Sequence, residues 1–414
     1  MEHVLKTLIE ETRRYVAPIE FCLTKTTHLL ALLACLQVLC PTVLSGADEL
    51  YVNITILESA TAQGAVCLDG SPPAYHLDRG HGSGVRSWIV YLDGGGWCNS
   101  IPDCFDHSTK DLGSTKRMEQ RSSFNGILHN TSEKNPEFYN WNRVRVKYCD
   151  GSSFMGDVEQ VDPDKKLFFR GARIFKAIME DLQSKGMKNA ENAILCGTSA
   201  GGLATILNCD KFKSHLPNDA TVKCIADAGF FINGKTASGA SYIEEMYRRI
   251  VNLHGSAKNL PSACTSVMEP SLCFFPENIV PYVQTPLFII NSVYDTWQIN
   301  NILIPPYLDP QHAWKDCSKR INNCTFGQRI IVQAFGVEFL KTFKGLPLSF
   351  TRGCFLTSCY SHGSILRPSY WFSASSPRLL HKTINEAVAD WYFERAGFHQ
   401  YIDPYPCARD CMLS

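Results

Sequence analysis

Short strand-like runs recur along this chain with helical patterns between them, and that alternation restricts the fold more than any other feature. Trp88 to Leu92 (WIVYL), Val144 to Tyr148, Ala193 to Cys196 (AILC), Val222 to Ala226 and Leu287 to Asn291 (LFIIN) are too short for helices, and most are apolar throughout. Between them, Leu167 to Lys185 carries Phe168, Ile174, Phe175, Ile178, Met179 and Leu182 at roughly helical spacing, and Gly186 ends it. Gly201 to Asn208 and Ser376 to Arg395 read as further helices. Strands buried on both faces need helices on both faces, which predicts a mainly parallel sheet in a three-layer α/β sandwich. No repeat or low-complexity linker interrupts residues 48–414, so a single domain is expected. The insertions at 100–140 and 230–282 are long for loops and are expected to wall or cap a site.

The N-terminal segment does not fit that pattern. Leu29 to Leu44 is apolar apart from Gln37, Pro41 and Thr42, with Lys25 before it and no acid between Phe21 and Ala47. Together with Ser45-Gly46-Ala47, this predicts a signal peptide over residues 1–47 with a long n-region, and no stable membrane span after cleavage. The cysteines agree. There are 18, without paired C-x2-C spacing, which favours disulfides in an oxidising compartment over structural zinc. Cys22, Cys35 and Cys40 precede the cleavage point, and the odd remainder of 15 predicts at least one free thiol, with Cys196 in its buried strand the first candidate. Asn53, Asn130 and Asn323 lie in glycosylation sequons. Lys+Arg and Asp+Glu both number 40, so no overall field exists to hold a nucleic acid, and a secreted monomer is expected.

The chemistry is carried by Gly197-Thr198-Ser199-Ala200-Gly201, a G-x-S-x-G string directly between the AILC strand and a helix. That setting predicts a nucleophile elbow, a sharp turn whose flanking glycines allow close backbone packing. Asp93-Gly94-Gly95-Gly96-Trp97 follows the WIVYL strand, where N–H groups of Gly95, Gly96 and Trp97, with that of Ala200, would form an oxyanion hole. The order serine, acid, histidine confines the remaining search to later residues. Asp295, after LFIIN, is favoured as the acid over Asp227, which reads as a pocket or structural carboxylate. His362, in a small-residue loop expected to be tied by a disulfide, is favoured over His312, His381 and His399. No G-x-G-x-x-G string is present, and neither cofactor nor metal is expected.

In order, LDGGGWC, RVKYCDGSSFMGD, ILCGTSAGGLA, IADAGFF, NSVYDTWQ, TSCYSH and PYPC resemble the pectin acetylesterase family, the esterase group that also includes animal Notum carboxylesterases. The resemblance spans about residues 50–411. It implies the α/β-hydrolase fold, an extracellular, cell-wall location, a triad of Ser199, Asp295 and His362, and hydrolysis of acetyl esters on pectin galacturonan. Two departures stand out. Plant members usually have Cys-Gln after the histidine, where this chain has Gly363-Ser364, and often have Cys before the serine, where this chain has Thr198. A cysteine missing at 363 would leave its former partner free. Rival readings are a Notum-like esterase for long acyl chains and a catalytically silent polysaccharide-binding member. An acidic polymer also calls for local basic groups, for which Arg143, Arg145, Lys147, Lys235, Arg248 and Arg249 are candidates.

Overall fold

The computed structural model describes residues 49–347 and 349–411, so the expected signal peptide, with Cys22, Cys35 and Cys40, lies outside the described residues. From Leu50 onward the chain forms one compact unit. Its strands are β1 (Tyr51–Ile56), β2 (Ala74–Asp78), β3 (Ser87–Leu92), β4 (Arg121–Ser123), β5 (Asn142–Val146), β6 (Asn192–Thr198), β7 (Thr221–Asp227), β8 (Leu287–Ser292), β9 (Arg352–Thr357) and β10 (Gln400–Ile402). The helices of eight or more residues are α1 (Ile101–Ser108), α2 (Gly171–Ser184), α3 (Ala200–Ser214), α4 (Tyr242–Leu253), α5 (Phe326–Lys344) and α6 (Ile384–Tyr392).

The strands form a ten-stranded sheet ordered β10-β9-β8-β7-β6-β3-β5-β2-β1-β4. From β10 to β5 every neighbouring pair is parallel, and β2, β1 and β4 extend the β5 edge antiparallel. This is the mainly parallel α/β sheet expected. Its centre is buried on both sides: Val90, Leu92 and Leu195 pack into one apolar cluster with Ile178 and Leu203, while Ile89, Tyr91 and Ile194 pack into another with Trp371 and Val388. Each fully buried aliphatic side chain contributes roughly 1.5–3 kcal/mol, so helices are needed on both faces. After β3 the chain places β5 on one side and β6 on the other, and ligands bind beyond the strand ends at such a switch.

Two helices are shorter than expected. α2 begins at Gly171 because the preceding residues run extended: Phe168 N–H bonds to Leu68 C=O and Val158 N–H to Phe169 C=O. α6 starts at Ile384, behind a capping box in which Thr383 and Glu386 satisfy each other's backbone N–H groups, and ends at Tyr392.

Six disulfides reinforce the unit: Cys67–Cys149, Cys98–Cys104, Cys209–Cys224, Cys264–Cys273, Cys317–Cys324 and Cys359–Cys411. Cys196 is free and buried, as expected, and so is Cys354, while Cys407 is free and exposed. Of the sequon asparagines, Asn53 and Asn323 are exposed and Asn130 is half-buried. Among the described residues no helix is long and apolar enough to cross a membrane.

Candidate active site

Ser199 sits at the end of β6 against the ends of β3 and β7, and among the described residues no hydrogen bond joins its hydroxyl to His362 Nε2. The residue sits between β6 and α3 with φ 62° and ψ −127°, a conformation that costs a non-glycine residue about 1–3 kcal/mol. The surroundings leave no alternative. A Cβ on Gly197 would lie 2.4 Å from Gly201 O, one on Gly201 would lie 2.1 Å from Leu92 O, and one on Gly94 would lie 2.9 Å from Ser199 Cβ. The glycines therefore let β3, its loop and the start of α3 close around the turn. Ser199 N–H bonds to Asp227 C=O at 2.9 Å, and its hydroxyl has no partner among the described residues.

The loop after β3 presents the other half of the site. Gly96 has φ 69°, and a Cβ there would meet nothing within 4 Å, so its glycine answers to backbone conformation and faces open space. Among the described residues, no hydrogen bond takes up the N–H groups of Gly95, Gly96, Trp97 or Ala200. Side chains fix this loop to α3. Tyr148 Oη donates to Gly96 C=O at 2.7 Å, Trp97 Nε1 donates to Ser153 Oγ at 2.7 Å, and Ser153 Oγ donates to Ala200 C=O at 2.8 Å. Tyr148 and Ser153 belong to the RVKYCDGSSFMGD segment, to which sequence reasoning gave no role. The run of small residues after Cys149 was the available signal.

Asp295, completely buried after β8, uses both carboxylate oxygens: Oδ1 accepts Gln298 N–H at 2.9 Å, and Oδ2 accepts His362 Nδ1–H at 2.7 Å. The acid and histidine loops are further joined by Thr296 N–H to Ser361 C=O and Val293 N–H to Thr357 C=O. His362 follows β9, and its Nε2 has no hydrogen-bond partner among the described residues. Burial would lower the imidazole pKa, but the charge and hydrogen bond of Asp295, helped by Asp227, outweigh it and raise the pKa, against an opposing pull from Arg367. An imidazole so held can take a proton from a hydroxyl and return it to a leaving group.

Asp227 ties the elbow to the histidine loop. Its Oδ2 accepts Thr198 Oγ1–H at 2.8 Å, Ser364 N–H at 2.7 Å and Ile365 N–H at 3.1 Å. Burial raises its pKa despite these donors. The sequence reading made it a pocket or structural carboxylate without seeing what it joins. The two departures from the plant pattern meet beside it: a Cβ on Gly363, which has φ 77°, would lie 2.7 Å from Thr198 Cγ2. Positions 198 and 363 therefore face each other between the elbow and the histidine loop.

Aromatic rings wall this site. Trp97 packs edge-to-face on Phe231 and Trp297, with centroids 4.9 and 5.3 Å apart, and Phe231 and Trp297 lie 6.5 and 6.4 Å from the His362 ring. Phe231 comes from the 230–282 insertion, and Tyr247 and Phe274 of the same insertion also pack on Trp97. Elsewhere, Cys98, Cys104 and His254 cluster, but the two cysteines are bonded to each other, which removes the thiolates a metal would use, and burial lowers the His254 pKa to about 4.

The basic candidates do not gather here. Arg143 is buried on Asp78, Arg145 and Lys147 both bind Asp93, Lys235 donates to Ser241, and Arg248 and Arg249 share Glu245. Arg143 and Arg145, alternate residues of β5, and Lys147 just beyond it reach carboxylates distant in sequence, which composition could not reveal.

A strained serine between a parallel strand and a helix, beside unengaged N–H groups, marks the α/β-hydrolase architecture, and the chain is a carboxylic ester hydrolase. It belongs to the pectinacetylesterase family, whose model matches residues 45–412. It is 51% identical to pectin acetylesterase 11 of Arabidopsis thaliana over 84% of this chain and 89% of that one. It is 48% identical to pectin acetylesterase 7 of the same plant, over 87% and 92%. The solved structure of the Wnt deacylase Notum from Drosophila shares the fold with a TM-score of 0.72 at 22% identity, covering 87% of this chain and 98% of the other.

Proposed function

We propose that the protein is a secreted serine esterase that removes acetyl groups from cell-wall pectin, with Ser199 as nucleophile, His362 as general base and acid, and Asp295 as the residue that orients the imidazole. The observation carrying this reading is the Asp295–His362 bond, joined through Asp227 to the loop that strains Ser199. His362 Nε2 takes the serine proton as Oγ attacks the acetyl carbonyl. N–H groups of Gly95, Gly96, Trp97 and Ala200 receive the oxyanion, the sugar hydroxyl leaves with the proton, and water then releases acetate.

The names of the 51% and 48% identical relatives support pectin as the polymer. Trp97, Phe231 and Trp297 pack on one another beside His362, and a short acyl group suits so aromatic a wall. Ser199→Ala should lower acetate release from acetylated pectin by at least ~10⁴-fold while thermal stability changes little. Turnover retained in that variant would remove Ser199 from the mechanism. A nitrophenyl ester series from acetate to octanoate checks the acyl group, and a maximum at octanoate would favour the long-chain reading.

A further inference from the structure

A cleft of about 360 Å³ opens beside His362, and the cations missing from the expected positions are found there. Lys319 and Arg320 line one side, and Arg367 and Tyr370 line another. The first pair sits in the loop closed by Cys317–Cys324, which follows the acid loop by some twenty residues and holds Ser318, Lys319 and Arg320 in a small ring. Arg367 follows the histidine loop, close enough to act electrostatically on His362.

What separates these cations from the others is their state of pairing. Among the described residues Arg320 and Arg367 make no ion pair, and Lys319 has only a long, exposed contact with Asp316 at 3.9 Å. Arg143, Arg145 and Lys147, by contrast, are neutralised by partly or fully buried carboxylates. One carboxylate, Asp410, also lines the cleft, leaving positive charge in excess. Guanidinium groups bind carboxylates through two parallel N–H bonds, and Arg320 and Arg367 are both exposed at the cleft, open to an incoming polymer.

We propose that this cleft is a subsite for carboxylates of the substrate chain, in which Arg320 and Arg367 hold uronate groups on sugars flanking the one being deacetylated. The proposal rests on the pectin reading above and explains how a protein of zero net charge selects an acidic polymer. Lys319 adds charge at the rim.

The test compares Arg320→Gln, Arg320→Glu and Arg367→Gln with wild type on acetylated polygalacturonate and on p-nitrophenyl acetate. A second arm measures inhibition of p-nitrophenyl acetate hydrolysis by unacetylated oligogalacturonate. Arg320→Gln should lower the ratio of polymer to nitrophenyl kcat/KM by about tenfold, mainly through KM, with Arg320→Glu lowering it further and inhibition weakening in parallel. A ratio held within about twofold in all variants, or inhibition independent of both arginines, would overturn the subsite. If wild type releases no acetate from the polymer but is inhibited through Arg320, the subsite stands and the function fails. If wild type releases acetate and its inhibition does not depend on the arginines, the function stands and the subsite fails.

Discussion

Ser199 keeps a positive φ only because its neighbours have no side chains to object. Gly201 shows this most directly, since its Cβ would lie 2.1 Å from Leu92 O and 2.6 Å from Asp93 O, backbone atoms that cannot rotate away. Gly201→Ala should therefore destabilise the fold by about 3 kcal/mol, read from chemical denaturation, and should reduce activity more than stability alone explains. Asp227 acts at the same scale through charge. In the proposed mechanism the neutral imidazole is the working base, so activity should rise as pH climbs through the His362 pKa and be lost below it. Because that pKa is raised, the acid limb of kcat/KM should lie above the ordinary histidine value. Asp227→Asn removes one of the anions raising it, so the limb should move to lower pH while the Thr198 bond can persist. An unmoved limb would show that Asp227 does not act on His362.

The elements differ in how far the sequence revealed them. The AILC strand, the G-x-S-x-G turn and the loops carrying Asp295 and His362 were legible because each depends on local spacing. The basic groups were not, because Arg143 and Arg145 alternate along β5 towards Asp78 and Asp93, partners fixed by sheet pairing and not by sequence distance. Ser153 was missed for the same reason, its role arising only where Trp97 and Ala200 meet. Thr198 and Gly363 face each other between the elbow and the histidine loop. The double variant Thr198→Cys/Gly363→Cys should form a disulfide between elbow and histidine loop, seen as a two-hydrogen mass loss, whereas either single variant should gain a free thiol. A double variant that stays reduced under oxidising conditions would mean the loops stand farther apart.

For the whole molecule, the thiol inventory is the sharpest measurable quantity. The described residues hold three free cysteines, of which only Cys407 is exposed. A chain cleaved after Ala47 should thus react with one equivalent of a thiol reagent when native and three when unfolded without reductant, and a retained N-terminal segment would raise the unfolded count by Cys22, Cys35 and Cys40. Cys196 stays silent in the native state because full burial holds its thiol far above the ordinary pKa.

The Cys359–Cys411 bridge bears on when the enzyme becomes active during its making. It closes a 52-residue span, worth about 4 kcal/mol in chain entropy, and beside it Tyr360 N–H bonds to Arg409 C=O at 2.8 Å. The loop that presents His362 is thus anchored to residues synthesised some fifty positions later. Ser199, its strand and the loop after β3 can all assemble while translation continues, but His362, the base of the proposed mechanism, can be set only once that far anchor has emerged and been oxidised. Esterase activity should consequently appear late in maturation, in step with the last disulfide and not with the folding of the sheet.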